Sequence, residues 1–412
     1  MATGIRFLVD VADNNDTPLY TYHVSRLNWS YRLGDVGGAV FEIALTDPAL
    51  TRDGFAPYAN RYTLNLLVGD SSVDPELWNI FPLQAGFITG AQIASERGTV
   101  QVSGQDWLAW LRQPYPFLNV VANTGSHVGY DLTLAEWLAY DPNGDGKPDE
   151  ANRNFQAKTQ EFVVNDLITS LTDIGYDPLA PALILAFNGL GWTQTMNYQI
   201  PWGDGTGILE HLQVISGQFD PYGFDFWVDW DKTVRLENPR QQNPASVTPS
   251  YAMIGPGQIV SIDWTNNGPR ATETIVFGAG FGNGRPWFKS RFTSGSTHPS
   301  EDLYGRWRRV LSFANPAASV TDNTMVTQMA AGQGYLDRFA QKELRLTVKP
   351  DAIDPSDPTA FFFNQSGNAI TVTYDFPPYH KIDAFFRVTG QDYRADSEGN
   401  WLCDLTLDQI YT

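Results

Sequence analysis

Oxygen-bearing side chains alternate along the stretch Asp141-Pro142-Asn143-Gly144-Asp145-Gly146-Lys147-Pro148-Asp149. Counted from Asp141 they fall at loop positions one, three, five and nine, with glycine at six, which is the spacing of an EF-hand-type calcium loop. In such a loop alternate oxygens converge on a hard cation, and the glycine permits the sharp turn. Position seven offers the carbonyl of Lys147. At position twelve stands Asn152 where a bidentate glutamate is usual, with Glu150 as a partial substitute. Asp141, Asn143, Asp145, Lys147 and Asp149 are the candidate ligands of a structural Ca2+, a cation that would keep an acidic loop in shape. The same residue types also fit a plain Asx/Gly turn.

Four other features could carry chemistry. Phe224–Asp231 (FDFWVDWD) puts Asp225, Asp229 and Asp231 on one strand face if it is extended. Paired carboxylates beside tryptophans suit glycoside hydrolysis, yet the same alternation describes any half-exposed strand. Gly278–Gly284 (GAGFGNG) follows a β-prone run like a phosphate loop. However, Arg285-Pro286-Trp287 does not open a helix, and the third glycine of a dinucleotide loop would fall where Asn283 or Arg285 stands, so a turn is expected. The histidines, at 23, 127, 211, 298 and 380, show no metal-ligand spacing. The single cysteine, Cys403, has no catalytic signature around it and is expected as a buried thiol. No catalytic constellation emerges.

The elements that must position these residues are mostly short strands. Abundant aromatics, many Gly and Pro turns and few long helical runs make a 412-residue chain of this composition mainly β. Residues 1–113 contain strand runs at Leu19–His23, Leu27–Tyr31, Ala39–Leu45 and Tyr62–Val68, closed by a hairpin across Gly86–Ser103. Residues 114–205 form an α+β insertion. Thr133-Leu134-Ala135-Glu136 is a capping box that opens a helix to about Tyr140, and a second helix spans Thr159–Ile174 before Gly175. Residues 206–265 bring a helix over Gly207–Ser216, ended by Gly217, and a hairpin turning at Asp231-Lys232. In residues 266–412 the expected strands are Thr272–Phe277, Ala369–Tyr374, Ala384–Gly390 and Trp401–Leu407. A helical stripe is read over Met325–Leu346. Phe87-Ile88-Thr89-Gly90 and Arg387-Val388-Thr389-Gly390 each precede a Glu-containing turn and a further strand. They hint at duplicated barrels, although two ordinary hairpins would match as well.

The formal charge of -19 disfavours a grip on phosphate backbones or anionic lipid. No signal peptide or apolar run of membrane-spanning length is apparent, so synthesis in the cytoplasm is expected.

Three places carry a family resemblance: Val102-Ser103-Gly104-Gln105-Asp106-Trp107-Leu108-Ala109-Trp110-Leu111; the Ile208–Ile215 helix with Gly217 and the Phe224–Glu237 hairpin; and the terminal order of helix, Asn364–Tyr374 strand and last hairpin. Together they span most of the chain, which resembles the tail-tip or baseplate hub proteins of long-tailed bacteriophages. The resemblance implies two related antiparallel β-barrels plus smaller α+β domains. It also implies a homotrimer in the virion that adapts a sixfold tail tube to a central spike or fibre. Its neighbours would be the distal tail protein and the tape measure protein, and DNA would pass through the channel without specific binding. Because the chain stops at Thr412, hydrolase or receptor-binding extensions are expected on other chains. A carbohydrate-binding tail or surface protein and, behind it, a β-rich glycoside hydrolase are the alternatives.

Overall fold

A computed structural model describes residues 5–12, 18–24, 26–47, 63–70, 81–113, 152–172, 183–189, 191–193, 195–201, 205–218, 223–238, 251–254, 259–269, 271–278, 286–291, 305–312, 340–348, 369–376, 380–395 and 401–409. In chain order the elements are β1 (Ile5–Ala12), β2 (Pro18–His23), β3 (Arg26–Arg32), β4 (Gly38–Ala44), β5 (Thr63–Asp70), β6 (Phe81–Ala94), β7 (Thr99–Asp106), β8 (Asn152–Thr159), α1 (Gln160–Thr172), β9 (Ile184–Gly189), β10 (Thr195–Pro201) and α2 (Ile208–Gln218). They continue with β11 (Asp225–Val228), β12 (Thr233–Asn238), β13 (Tyr251–Ile254), β14 (Ile259–Pro269), β15 (Glu273–Phe277), β16 (Trp287–Arg291), β17 (Arg308–Ser312), β18 (Ala340–Val348), β19 (Ala369–Phe376), β20 (His380–Ala395) and β21 (Trp401–Gln409). The fold is mainly β, as the composition requires.

One large sheet runs in the order β14-β18-β21-β20-β3-β4-β7-β6-β5-β1-β2, with β13 and β19 attached beside β20. Within it lies a duplication. The strands β3-β4-β7-β6-β5 and β14-β18-β21-β20-β19 follow the same order, and every neighbouring pair in both is antiparallel. The pairing slips at matching points: between Ile88 and Gly90 in the β6–β7 hairpin, and between Val388 and Gly390 in the β20–β21 hairpin. Such slips are bulges that bend a strand and raise its twist. At both, the extra threonine donates its hydroxyl to the facing strand, Thr89 to the Ser103 carbonyl and Thr389 to the Thr406 carbonyl.

Register then aligns the two copies residue by residue. Trp29 opposes Ala39 as Trp264 opposes Leu344, and Leu64 and Leu66 occupy the places of Ile370 and Val372. The tetrapeptide match seen in the sequence therefore belongs to two five-stranded units of one plan. They are joined where β20 pairs with β3, from Gly390 opposite Arg32 to Ala395 opposite Leu27. No pairing among the described residues closes either unit into a barrel. Both units feed one apolar core, because period-two alternation sends Phe41, Val102, Leu346 and Leu405 to the same buried side.

A second core is built by α1, α2 and the small sheets. Val163, Val164, Leu167, Ile168 and Leu171 of α1 meet Ile208, Leu209, Leu212 and Ile215 of α2 and Phe226, Val234 and Leu236 of the hairpin β11–β12. The Thr159 hydroxyl accepts from the Phe162 amide, so the first turn of α1 is capped. β9 adds to β12 in parallel, Ile184 opposite Thr233.

Two expectations are corrected. The helical stripe expected over Met325–Leu346 ends in a strand, since Ala340–Val348 is β18, and residues 325–339 lie outside the described residues. Leu344, Leu346 and Val348 are buried in turn while Arg345 between them is exposed, so a period of two overrides the helical spacing there. Gly217 does not end the helix expected over Gly207–Ser216, since α2 continues to Gln218. The capping-box helix from Thr133 lies outside the described residues.

Candidate functional site

The joint between the two cores is held by several buried backbone and side-chain bonds. At its end β7 passes without a linker into a 3-10 turn, Trp107–Arg112, whose residues Trp107 to Leu111 are all buried. Asp106 caps that turn. Its carboxylate accepts from the Leu108 amide at 3.1 Å and from the Gly37 amide at 2.6 Å, and its own amide donates to the Gly37 carbonyl at 3.2 Å. Burial pushes the Asp106 carboxyl up to about 7, against the opposing pull of the Gly37, Leu108 and Ala109 amides. A Cβ on Gly37 would lie 2.2 Å from the Ser30 carbonyl oxygen, so only glycine fits beside the cap.

The turn that carries Gly37 bonds in three further directions. The Leu33 amide donates to Thr389 of β20, the Gly34 amide donates to Phe226 of β11, and the Gly34 carbonyl accepts from Gln213 of α2. Phe87 packs against Trp107 and Trp110 at 5.4 and 6.5 Å, and the Lys232 ammonium sits 5.0 Å over the Trp107 ring. The two tryptophans are buried packing residues and present no platform to a ligand.

The carboxylates of Phe224–Asp231 do not share one face. β11 ends at Val228, and a turn follows in which the Asp231 side chain accepts from the Thr233 amide. Asp225 is buried and bonded to Arg387 of β20 at 2.5 Å, tying the hairpin to the large sheet. Asp229 bonds Arg235 at 2.6 Å and accepts from the Trp227 indole. Each carboxylate is thus committed to its own arginine or turn.

Cys403 is a buried thiol within β21, and burial pushes it well above its ordinary value. His211 is buried on α2, with Nδ1 2.8 Å from the Tyr198 hydroxyl. Asp141, Asn143, Asp145, Lys147 and Asp149 lie outside the described residues, as does most of the glycine run, Ala279–Gly284. Among the described residues no group of three or more His, Cys, Asp or Glu side chains is placed to hold a metal, and no helix is long and apolar enough to cross a membrane.

Sequence reasoning missed a charge cluster on the sheet β16-β15-β17. Glu273 is fully buried there, with Arg306 at 2.6 Å, Lys289 at 3.8 Å and Arg308 also bonded to it. Burial pushes its carboxyl up, but the bonds from Arg308 and Arg306 outweigh that and hold it below its ordinary value. Around the cluster Trp287, Trp307 and Val310 are more than half exposed. Only the spacing of Arg306, Arg308 and Arg309 hinted at this. A groove of about 540 Å³ over β18, β20 and β21 is lined by charges already paired, Arg32 with Asp392 and Arg394 with Asp404.

No protein-family model matches the chain. No curated protein matches it either. Solved structures do. A tail protein from Neisseria meningitidis aligns over 98% of this chain and 96% of its own at a TM-score of 0.58 and 13% identity. The 43 kDa tail protein of prophage MuSo2 from Shewanella oneidensis aligns over 98% of both chains at 0.55 and 11%. The prophage tail protein gp18 from Listeria monocytogenes aligns over 97% of this chain and 94% of its own at 0.54 and 9%. The chain therefore has the fold of prophage tail proteins along nearly its whole length.

Proposed function

We propose that this chain is a non-enzymatic structural subunit of a phage tail tip, a hub that assembles as a homotrimer. It sits between the sixfold tail tube or distal tail ring and the central spike or fibre, with the tape measure protein as a further neighbour. The observation that carries the reading is the duplication, together with the shared fold of tail proteins. Two units of one plan per chain, taken three times, present six similar units, which is what a joint between threefold and sixfold partners needs. The commitment of Asp225 and Asp229 to arginines favours a scaffold over a hydrolase.

The charge of -19 suits a channel wall that repels DNA and lets it pass without specific binding. A calcium ion at Asp141, Asn143, Asp145, Lys147 and Asp149 would brace the insertion. Mass measurement of the purified protein tests the assembly: a species of three times the 45.9 kDa chain is expected, and an even-numbered oligomer sinks the trimer. A second reading, a carbohydrate-binding tail protein, is favoured by the exposed rings of Trp230, Trp287 and Trp307, and binding on a glycan array would establish it.

A further inference from the structure

The duplication leaves one joint made and its counterpart open. Within the chain, the end of β20 beyond its bulge pairs on one side with β21 and on the other with β3. By the register of the two hairpins, Gly90–Ala94 of β6 occupies the place of Gly390–Arg394, and it has a partner on one side only, β7, among the described residues. By the register of the outer strands, β14 occupies the place of β3, with Ile262 for Leu27 and Trp264 for Trp29. Among the described residues it forms the edge of the large sheet.

Burial follows the same division. Tyr393 and Trp29, which oppose each other in the made joint, are each 1% exposed. Their counterparts differ: Ile93 is 57% exposed and Trp264 only half-buried. A long edge strand with an apolar side chain facing water is a template for another strand unless something covers it.

We infer that the last residues of β6 pair antiparallel with β14 of a second copy of this chain, repeating between copies the joint that β20 and β3 make within one. The occupant is a second copy because the two edges are the two halves of one joint already present in the molecule. Intrachain register sets the intermolecular one: Gln92 opposite Thr265, and Ile93 opposite Trp264. Different surfaces meet, so the contact is head-to-tail and propagates until it closes a ring in which intrachain and interchain joints alternate. Only the number of copies rests on the hub reading above; the pairing rests on the duplication.

Disulfide trapping tests it. Residues directly opposed in an antiparallel pair have Cα atoms about 4.5–5.5 Å apart, within the span of a disulfide. The native thiol, Cys403, is buried and gives little background. Full-length Gln92→Cys/Thr265→Cys is expected to give covalent multimers under mild oxidation, while each single variant stays a monomer on a non-reducing gel. Mixing the two single variants is expected to give covalent dimers. Ile93→Asp, at an exposed position that leaves the fold intact, is expected to reduce the native mass to that of one chain. An oligomer that forms without these crosslinks, or that links equally through Gln92→Cys/Asp263→Cys, overturns the pairing and leaves the trimeric hub standing. Crosslinked rings of another copy number support the pairing and remove the trimer. A wild type that stays monomeric at every concentration overturns both.

Discussion

Replacing Asp106 by alanine separates two effects that oppose each other at the joint between cores. The side chain gives two buried amides their acceptor, and leaving a buried donor unmet costs about 1–3 kcal/mol. The carboxyl is also pushed up from 3.8 to about 7, so the folded state binds a proton that the unfolded chain releases. With the folded value raised, stability is full below 3.8 and is lost as pH rises through about 7. At ~1.4 kcal/mol per unit, ionisation costs roughly 2 kcal/mol near pH 5.5 and roughly 4 near pH 8. The alanine variant carries no such cost, and every other titrating group cancels in the comparison. Its stability relative to wild type is therefore expected to improve by about 2 kcal/mol between those two pH values. Urea unfolding followed by tryptophan fluorescence measures it, because Trp107 and Trp110 lie against the cap. The lower pH stays above the isoelectric point near 4.5, so both proteins remain soluble. A gap between the proteins that does not change with pH, or that widens as pH rises, refutes the reasoning and means that the amides keep Asp106 ionised throughout.

Other substitutions probe the same frame. Gly37→Ala is expected to lose about 1–3 kcal/mol in urea unfolding, since its methyl meets the Ser30 carbonyl rather than a side chain that can move aside. Arg387→Met leaves the Asp225 carboxylate buried without its cation and is expected to cost about 3–5 kcal/mol, with most of that recovered in Arg387→Met/Asp225→Leu; a double variant as unstable as the single one would mean the pair is not what matters there. Glu273→Gln is expected to lower the melting temperature near neutral pH and to flatten its fall with acid, because a carboxyl held low contributes above its ordinary range and fades as pH drops. Calorimetry with Ca2+ is expected to show heat that Asp141→Ala/Asp145→Ala abolishes; no heat from the wild type and no effect of chelator on its melting would remove the calcium loop.

Strands with one apolar and one polar face were legible in the sequence: β4 and β21 lie within a residue or two of their expected bounds, while β7 runs three residues past the expected Ser103. Leu344-Arg345-Leu346 alternates as well, but it followed residues spaced like a helix, and the longer pattern masked the shorter one. The duplication was legible in a single tetrapeptide. Elsewhere the two copies share only which side of the strand is apolar, as with Phe41 and Leu346, and the intervening lengths differ, so Trp29 and Trp264 align only once register is known. The Asp106 cap was visible as an acidic residue before an aromatic run, whereas its contact with Gly37 spans 69 positions and has no local signature. For the same reason Arg387 could not be foreseen as the partner of Asp225.

The seam between β3 and β20 also bears on time. Arg32 and Asp392, bonded across it, stand 360 positions apart in the chain. During synthesis at ~5–20 residues per second, β3 waits roughly 20–70 s for its second partner strand, β20, to be made. Contacts of such separation are slow to close even in a finished chain. A truncated product that lacks β20 has the first unit's strands, but β3 then has β4 on one side only, and it is expected to be cleaved by protease far faster than a chain that includes β20. A check on synthesis is thus written into strand order: the seam forms only in a chain translated past β20.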